Sequence, residues 1–372
     1  MGNLVAERFE RSFDADIRSK FFRGMEFREP EGDPGWFGPD SAVWYVHSHL
    51  PTLILGLVAA AYIEGLDPSI SWMGYDHSRL VERVDGVPTG NVDPEGAAVR
   101  LGHSVAFFIG TAYGTTRTAE NLARTVRAMH HTVKGVRPDG LPYDADDPDW
   151  LRWNYATVVW GLATAHERYH RTPLRGDDLE RYYREFVRVG EALGGTDLPA
   201  TKGEVAECLE SYLPRLAVTP IKAFGTGPNL RDSKVPPWQP GSAFMDWAAR
   251  DMLPRWAQKL ALYQPPNRVT LRARRSALWL AVNGLHRATG PLPEFRAAQA
   301  RVAGGTTAPV AVTAPTGPDP ALTRAEVEAA TLADPAAPTA ARPEGAVPTA
   351  ARLEAAVPVE PAAQPERAAA QA

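Results

Sequence analysis

Through the first 302 residues, aromatic and aliphatic side chains recur at helical spacing, and capping signals separate one apolar segment from the next. Asp147-Pro148 places an N-cap and a first-turn proline ahead of WLRWNYATVVWGLATAHERY. Thr118 precedes AENLARTVRAMHHTVK, which closes on Lys134 and Gly135, a cation and a glycine where a helix end favours them. No run of alternating, period-two hydrophobicity competes with this pattern. Such a chain buries its apolar stripes by packing helix on helix, so the expectation is a single all-α, multi-helix domain of about ten helices over residues 1–302.

The pattern stops near Ala303. Residues 303–372 are dominated by Ala, Pro, Thr, Val and Glu and hold no aromatic residue. A near-repeat runs through them, TAARPEGAVP (339–348) followed by TAARLEAAVP (349–358). Frequent prolines break helices, and little apolar area is available to offset an ordering entropy of about 1–2 kcal/mol per residue. This segment reads as a disordered C-terminal tail.

Charge and cysteine content remove several function classes. A net charge of −4 gives no reason to expect nucleic acid or an anionic membrane as partner. The single cysteine, Cys208, excludes an internal disulfide framework, a multi-cysteine zinc site, an iron–sulfur cluster and covalent attachment of a c-type haem. The first twenty residues carry charges throughout and no continuous apolar core, and Ala6 occupies the position where a myristoylation signal needs a hydroxyl. The longest apolar stretch, Leu53 to Ile63, is far shorter than the ~20 residues of a spanning helix. The expectation is a cytoplasmic chain with no membrane span.

Three constellations carry chemistry. The segment Ala97 to Tyr113, AAVRLGHSVAFFIGTAY, is apolar on almost every side, which predicts a buried helix. Its strongly polar residues, Arg100, His103 and Ser104, fall on one face at i, i+3 and i+4. A buried arginine keeps its charge, so something anionic must meet it: an internal carboxylate, or the carboxylate of a ligand such as a haem propionate. Both remain open. The next helix carries adjacent histidines on a stripe of Leu122, Val126, Met129 and Val133. His130 lies about 70° from the centre of that stripe and His131 about 170°, so His130 borders the core and His131 points to solvent. The wheel selects the histidine without saying whether it packs or ligates. Third, His166-Glu167-Arg168-Tyr169-His170 fits H-E-x-x-H, in which two histidines one turn apart bind zinc and the glutamate acts as general base. The following Arg171-Thr172-Pro173 ends the helix at the second histidine, and no third-ligand motif follows. Glu167-x-x-His170 also matches half of a di-iron carboxylate motif, without a second Glu-x-x-His. His47 and His49 read as packing residues.

Taken together, these segments resemble the haem-containing oxygenases typified by MpaB and latex clearing protein (rubber oxygenase). The resemblance runs from FGPDSAVWYVHSHLPTLILGLVAAAYIEGLDP through Arg100-x-x-x-Ser104, Gly114, His130-x-x-Val133-x-Gly135 and GLPYDADDPDWLRW to MLPRWAQKLALY. It implies a partly globin-like helical core, one noncovalent haem b, His130 as proximal iron ligand and Arg100 as the inward arginine. It further implies activation of dioxygen for oxidation or oxidative cleavage of an apolar substrate. Ser104 stands where the family usually has threonine, so the hydroxyl is kept. Asn154 stands where the family often has histidine in a W-V-H-A segment, which puts a distal role for that side chain in doubt. Where the latex clearing branch has a lysine that closes the sixth iron position, this chain has His103, so two resting states are open: an at least partly bis-histidine one with His130 and His103, and an open site in which His103 only bonds a backbone carbonyl or a propionate. The substrate expected is a small, largely apolar metabolite inside the cell, with dioxygen as co-substrate. The competing readings are a zinc hydrolase built on His166, Glu167 and His170, and a haem-binding protein without turnover.

Overall fold

A computed structural model of the chain describes residues 20–221 and 240–303, with side chains from residue 245 in the second segment. Residues 304–372, on which the tail expectation falls, lie outside the described residues. The described part contains twelve α-helices. The first six are α1 (Ala42–His47), α2 (Leu50–Glu64), α3 (Pro68–His77), α4 (Pro94–Tyr113), α5 (Thr116–Thr132) and α6 (Pro148–Tyr169). They are followed by α7 (Gly176–Ala192), α8 (Lys202–Ser211), α9 (Pro240–Met252), α10 (Arg255–Leu260), α11 (Arg268–Thr289) and α12 (Pro293–Val302).

Three of these helices begin on the same dipeptide. Asp67-Pro68, Asp93-Pro94 and Asp147-Pro148 each put a carboxylate at the N-cap and a proline at the first helical position. The carboxylates accept from the backbone N–H groups of Ser69 (2.7 Å), Glu95 (3.0 Å) and Asp149 (2.8 Å). Each satisfies a donor that the helix leaves unpaired, and the proline fixes φ where no N–H is needed.

The core forms where α2 crosses α6. A Cβ on Gly56 would lie 2.8 Å from the carbonyl oxygen of Gly161, and one on Gly161 would lie 2.5 Å from that of Gly56. Two glycines facing each other let the backbones meet, so neither position tolerates even a methyl group. Around this crossing α1, α4, α7, α9 and α11 lay down their apolar faces. Trp44, Trp153, Tyr113, Tyr182, Tyr183 and Phe186 supply the bulk of the interior. Arg301, buried near the end of α12, donates to the carbonyls of Phe27 (2.7 Å), Asp33 (2.7 Å), Tyr113 (3.0 Å) and Gly114 (3.2 Å), clamping the last helix to the first turns of the chain. Among the described residues no single helix is long and apolar enough to cross a membrane.

The structure differs from the sequence expectation in three places. Two small antiparallel hairpins interrupt the helices: β1 (Val81–Val84) with β2 (Val87–Val92), and β3 (Lys134–Val136) with β4 (Pro142–Asp144). The first turns on Asp85-Gly86, both at positive φ (52° and 81°), a dipeptide suited to a two-residue hairpin. Helix α5 starts earlier than read, with Thr115 as its cap (side chain to Thr118 N, 3.1 Å), and it stops at Thr132. Lys134 and Gly135 belong to β3.

Candidate functional site

His130 sits in the last turn of α5, on the side of Ala119 and Ala123, which are buried, while Met129 is exposed. The buried stripe is therefore rotated from the one read in sequence, because the end of α5 runs past the body and its apolar residues lose their cover. The His130 imidazole meets Trp150 edge-on, with centroids 5.3 Å apart and an interplanar angle of 84°. Its Nδ1 is buried and has no hydrogen-bond partner, and neither has the neighbouring Trp150 Nε1. Burial pulls its pKa down to about 4; Asp146 opposes that shift and the positive charge of Arg100 adds to it. At neutral pH this ring is a neutral imidazole with lone-pair capacity that no side chain uses. His131 points outward, its Nδ1 2.6 Å from Asp146.

Arg100 is not buried, contrary to the expectation from an apolar segment. In α4 burial is confined to Gly96 and the stretch from Ala106 to Tyr113; Arg100 and His103 are exposed and Ser104 is half-buried. The apolar neighbours Leu101 and Val105 pack partly buried against the core while Arg100 and His103 face solvent, so composition overstated cover. The Arg100 guanidinium acts electrostatically on two groups, Glu64 and His130. His103 packs edge-on against Phe21 at 5.0 Å, and Ser104 donates its hydroxyl to the Arg100 carbonyl at 3.1 Å.

Glu64, which sequence reasoning missed, ends α2 in the interior. Burial raises its carboxyl pKa; the charge of Arg100 and a hydrogen bond donated by the Asn154 amide work against that rise. Asn154 also lines a narrow apolar cleft between α4, α6 and α7, together with Phe108, Leu151, Tyr155, Val158 and Phe186. One polar side chain thus joins a buried carboxyl to an apolar wall. The signal in sequence was a lone acid closing an otherwise apolar helix.

The catalytic-domain family described as ER-bound oxygenase mpaB/B' and rubber oxygenase matches residues 44–282, a span that contains Glu64, Arg100, His103, Ser104, His130 and Asn154. The chain belongs to this oxygenase family. No curated protein and no solved structure matches it. As an MpaB/rubber-oxygenase member it is an oxidoreductase that acts on a substrate with dioxygen. The matched span ends inside α11, so Arg301 lies beyond it, while two of its four acceptors, the Tyr113 and Gly114 carbonyls, lie within it.

Within this oxygenase the H-E-x-x-H motif builds no zinc site. Glu167 is held by Lys202 Nζ at 2.8 and 3.0 Å, away from the role of general base. His166 Nε2 accepts from Leu174 N at 2.9 Å, and His170 caps the helix with Nδ1 on Thr172. Their rings stack near those of His49 and His286, yet no three His, Cys, Asp or Glu side chains among the described residues stand in an arrangement that holds a metal ion. His47 and His49 serve the core. His47 bridges the Phe108 carbonyl and the Tyr182 hydroxyl, 3.3 Å to each, and His49 caps α2 by accepting from Thr52 N at 3.3 Å.

Proposed function

We propose that this oxygenase works with a haem b whose iron is held by His130, with Arg100 meeting a propionate, and that it oxidises a small, largely apolar substrate. The observation that carries the reading is the state of His130: a neutral imidazole with no hydrogen bond, set against Trp150 in the family's catalytic domain. The donor set suits the group. Neutral imidazole ligates iron, and an exposed guanidinium whose charge reaches His130 suits a carboxylate. When bound, haem supplies the activation of dioxygen, which none of these side chains provides.

The remaining parts belong to the chain itself. The cleft walled by Phe108, Val158 and Phe186 is an apolar wall with room for about one water molecule, about 20 Å³, so an apolar substrate enters it only when those side chains part. Burial raises the Glu64 pKa, and the Asn154 amide donates to Oε1, so Oε2 is the oxygen left free to take up a proton. His103 and Ser104 supply a second imidazole and a hydroxyl on the α4 face next to Arg100. If it leaves Phe21, His103 would be the residue able to offer the haem a second imidazole.

Purified protein tests the assignment by its visible spectrum and iron content, with oxygen uptake as the activity readout. A Soret band with stoichiometric iron is expected. Protein that takes up no haem on reconstitution rejects the proposal. Electron paramagnetic resonance reads His103 separately: a low-spin ferric signal should turn high-spin in His103→Ala, and a wild-type signal already wholly high-spin removes His103 from the iron.

A further inference from the structure

Residues 252–293 contain no Asp or Glu, yet they carry Arg255, Lys259, Arg268, Arg272, Arg274, Arg275 and Arg287. In a chain with 44 acidic and 40 basic side chains this is a marked local reversal. The stretch covers α10, α11 and the loop between them. Arg275 turns inward and is held by the Asp251 carboxylate at 2.7 and 3.1 Å. Lys259, Arg268, Arg272, Arg274 and Arg287 stand on the outside. The acids nearest in sequence are spent elsewhere: Asp246 on Tyr62 and Arg250, Asp251 on Arg275 and Arg168, and Glu294 is buried.

The outward face of α11 is not simply cationic. Val269 is 78 % exposed, Leu280 65 % and Leu285 48 %, and Leu262 just before the helix is 66 % exposed. On the helical wheel Val269, Ala273, Ala277 and Gly284 fall within about 60° of Leu280, with Ser276 and, at the C-terminal end, Arg287 in the same sector, while Arg268 and Arg272 flank the stripe on one side and Arg274 on the other. Leu278, Val282 and Arg275 occupy the opposite, buried face. From Val269 to Gly284 the stripe is about 22 Å long, while Leu285 lies about 140° from Leu280, toward the buried face. The stripe is a straight ridge with an apolar crest and cationic flanks, the arrangement of a helix that lies in a bilayer interface with its bases among headgroups.

We propose that the α11 face docks this protein peripherally on an anionic lipid surface. The charge pattern selects the occupant. A two-fold pair of copies would set the same cationic flanks against each other, and a nucleic acid would leave the crest of Leu and Val unmatched. An anionic leaflet satisfies both, and each cation brought to it strengthens partitioning about fivefold, the equivalent of about 1 kcal/mol. The proposal departs from the sequence expectation, in which the overall charge of −4 gave no reason to expect an anionic membrane. The face is independent of His130.

Co-sedimentation of the full chain with phosphatidylcholine vesicles, with and without phosphatidylglycerol, tests the proposal. Sedimentation only with the anionic vesicles, weakening as salt rises, is expected. The Arg268→Glu/Arg272→Glu variant should bind at least about 25-fold more weakly, and Leu280→Glu should also lose binding. Val136→Glu, at an exposed residue of β3, should sediment like the wild type; circular dichroism melting confirms that each variant is folded. Equal sedimentation with both vesicle types, none with either, or full binding by folded Leu280→Glu overturns the proposal. So does a wild-type dimer that Leu280→Glu splits, because the face would then join copies of this chain.

Discussion

Asn154 reaches from α6 to donate its side-chain amide to Glu64 at the end of α2, and it does so from the wall of the apolar cleft. Ninety residues separate the two in sequence, and the bond places a protonatable carboxyl beside the apolar wall formed by Phe108, Val158 and Phe186.

The first prediction tests that carboxyl. Its pKa is raised in the folded protein, so it contributes stability below the unfolded value of 4.5, and that contribution is lost as pH rises through the folded pKa. Glu64→Gln keeps an acceptor for Asn154 and removes the buried charge. It should melt higher than wild type at pH 7–8, by about 2–4 °C for each kcal/mol recovered, with the gain shrinking as pH falls toward 4.5, while oxygen uptake drops. An unchanged melting temperature across the range would show that Glu64 is not penalised by burial.

A second prediction concerns the helix crossing. Gly161→Ala drives a methyl into the Gly56 carbonyl, and overpacking of this kind costs about 1–3 kcal/mol or more. Chemical denaturation should show that loss, whereas Gly203→Ala, where a Cβ meets nothing within 4 Å, should not lose stability.

Buried histidines set the acid limit. His49 is held neutral by burial and by the neighbouring His170 and His286, with its pKa lowered to about 3. For a histidine whose folded pKa lies below the ordinary 6.5, the stability contribution is complete above 6.5 and is lost as pH falls toward the folded value. His49→Asn keeps an N-cap acceptor and removes the titration. Its melting temperature should decline less steeply than that of wild type between pH 6.5 and 4; an identical slope would assign the acid sensitivity to other groups.

The H-E-x-x-H glutamate is structural. Breaking its half-exposed pair with Lys202 should cost about 0–1 kcal/mol. Glu167→Ala should therefore retain iron content and oxygen uptake, and a collapse of activity in a folded variant would restore it to the chemistry.

How much of this was legible in sequence follows from the range of the interactions involved. Asp147-Pro148 announces its helix because the cap and the proline act within three residues. The outward turn of His131 relative to His130 also follows from local geometry, 100° per residue. Arg100 was misplaced because an apolar helix is buried only where something covers it, and in α4 that cover is confined to Gly96 and the stretch from Ala106 to Tyr113. The Asp85-Gly86 turn was readable but was masked by the dominance of the helical period. Glu64 was signalled only as a lone acid closing an apolar helix, and its pairing with Asn154 needed the fold, since the crossing of α2 and α6 brings the two together.

The central claim is that His130, and not its neighbour, holds the haem iron. Absorption spectra and iron analysis of His130→Ala and His131→Ala, expressed and reconstituted side by side, test it most directly. The account predicts that His130→Ala loses the Soret band and nearly all iron, while His131→Ala, exposed and paired with Asp146, keeps both. Equal loss in the two variants, or loss in His131→Ala alone, would contradict it.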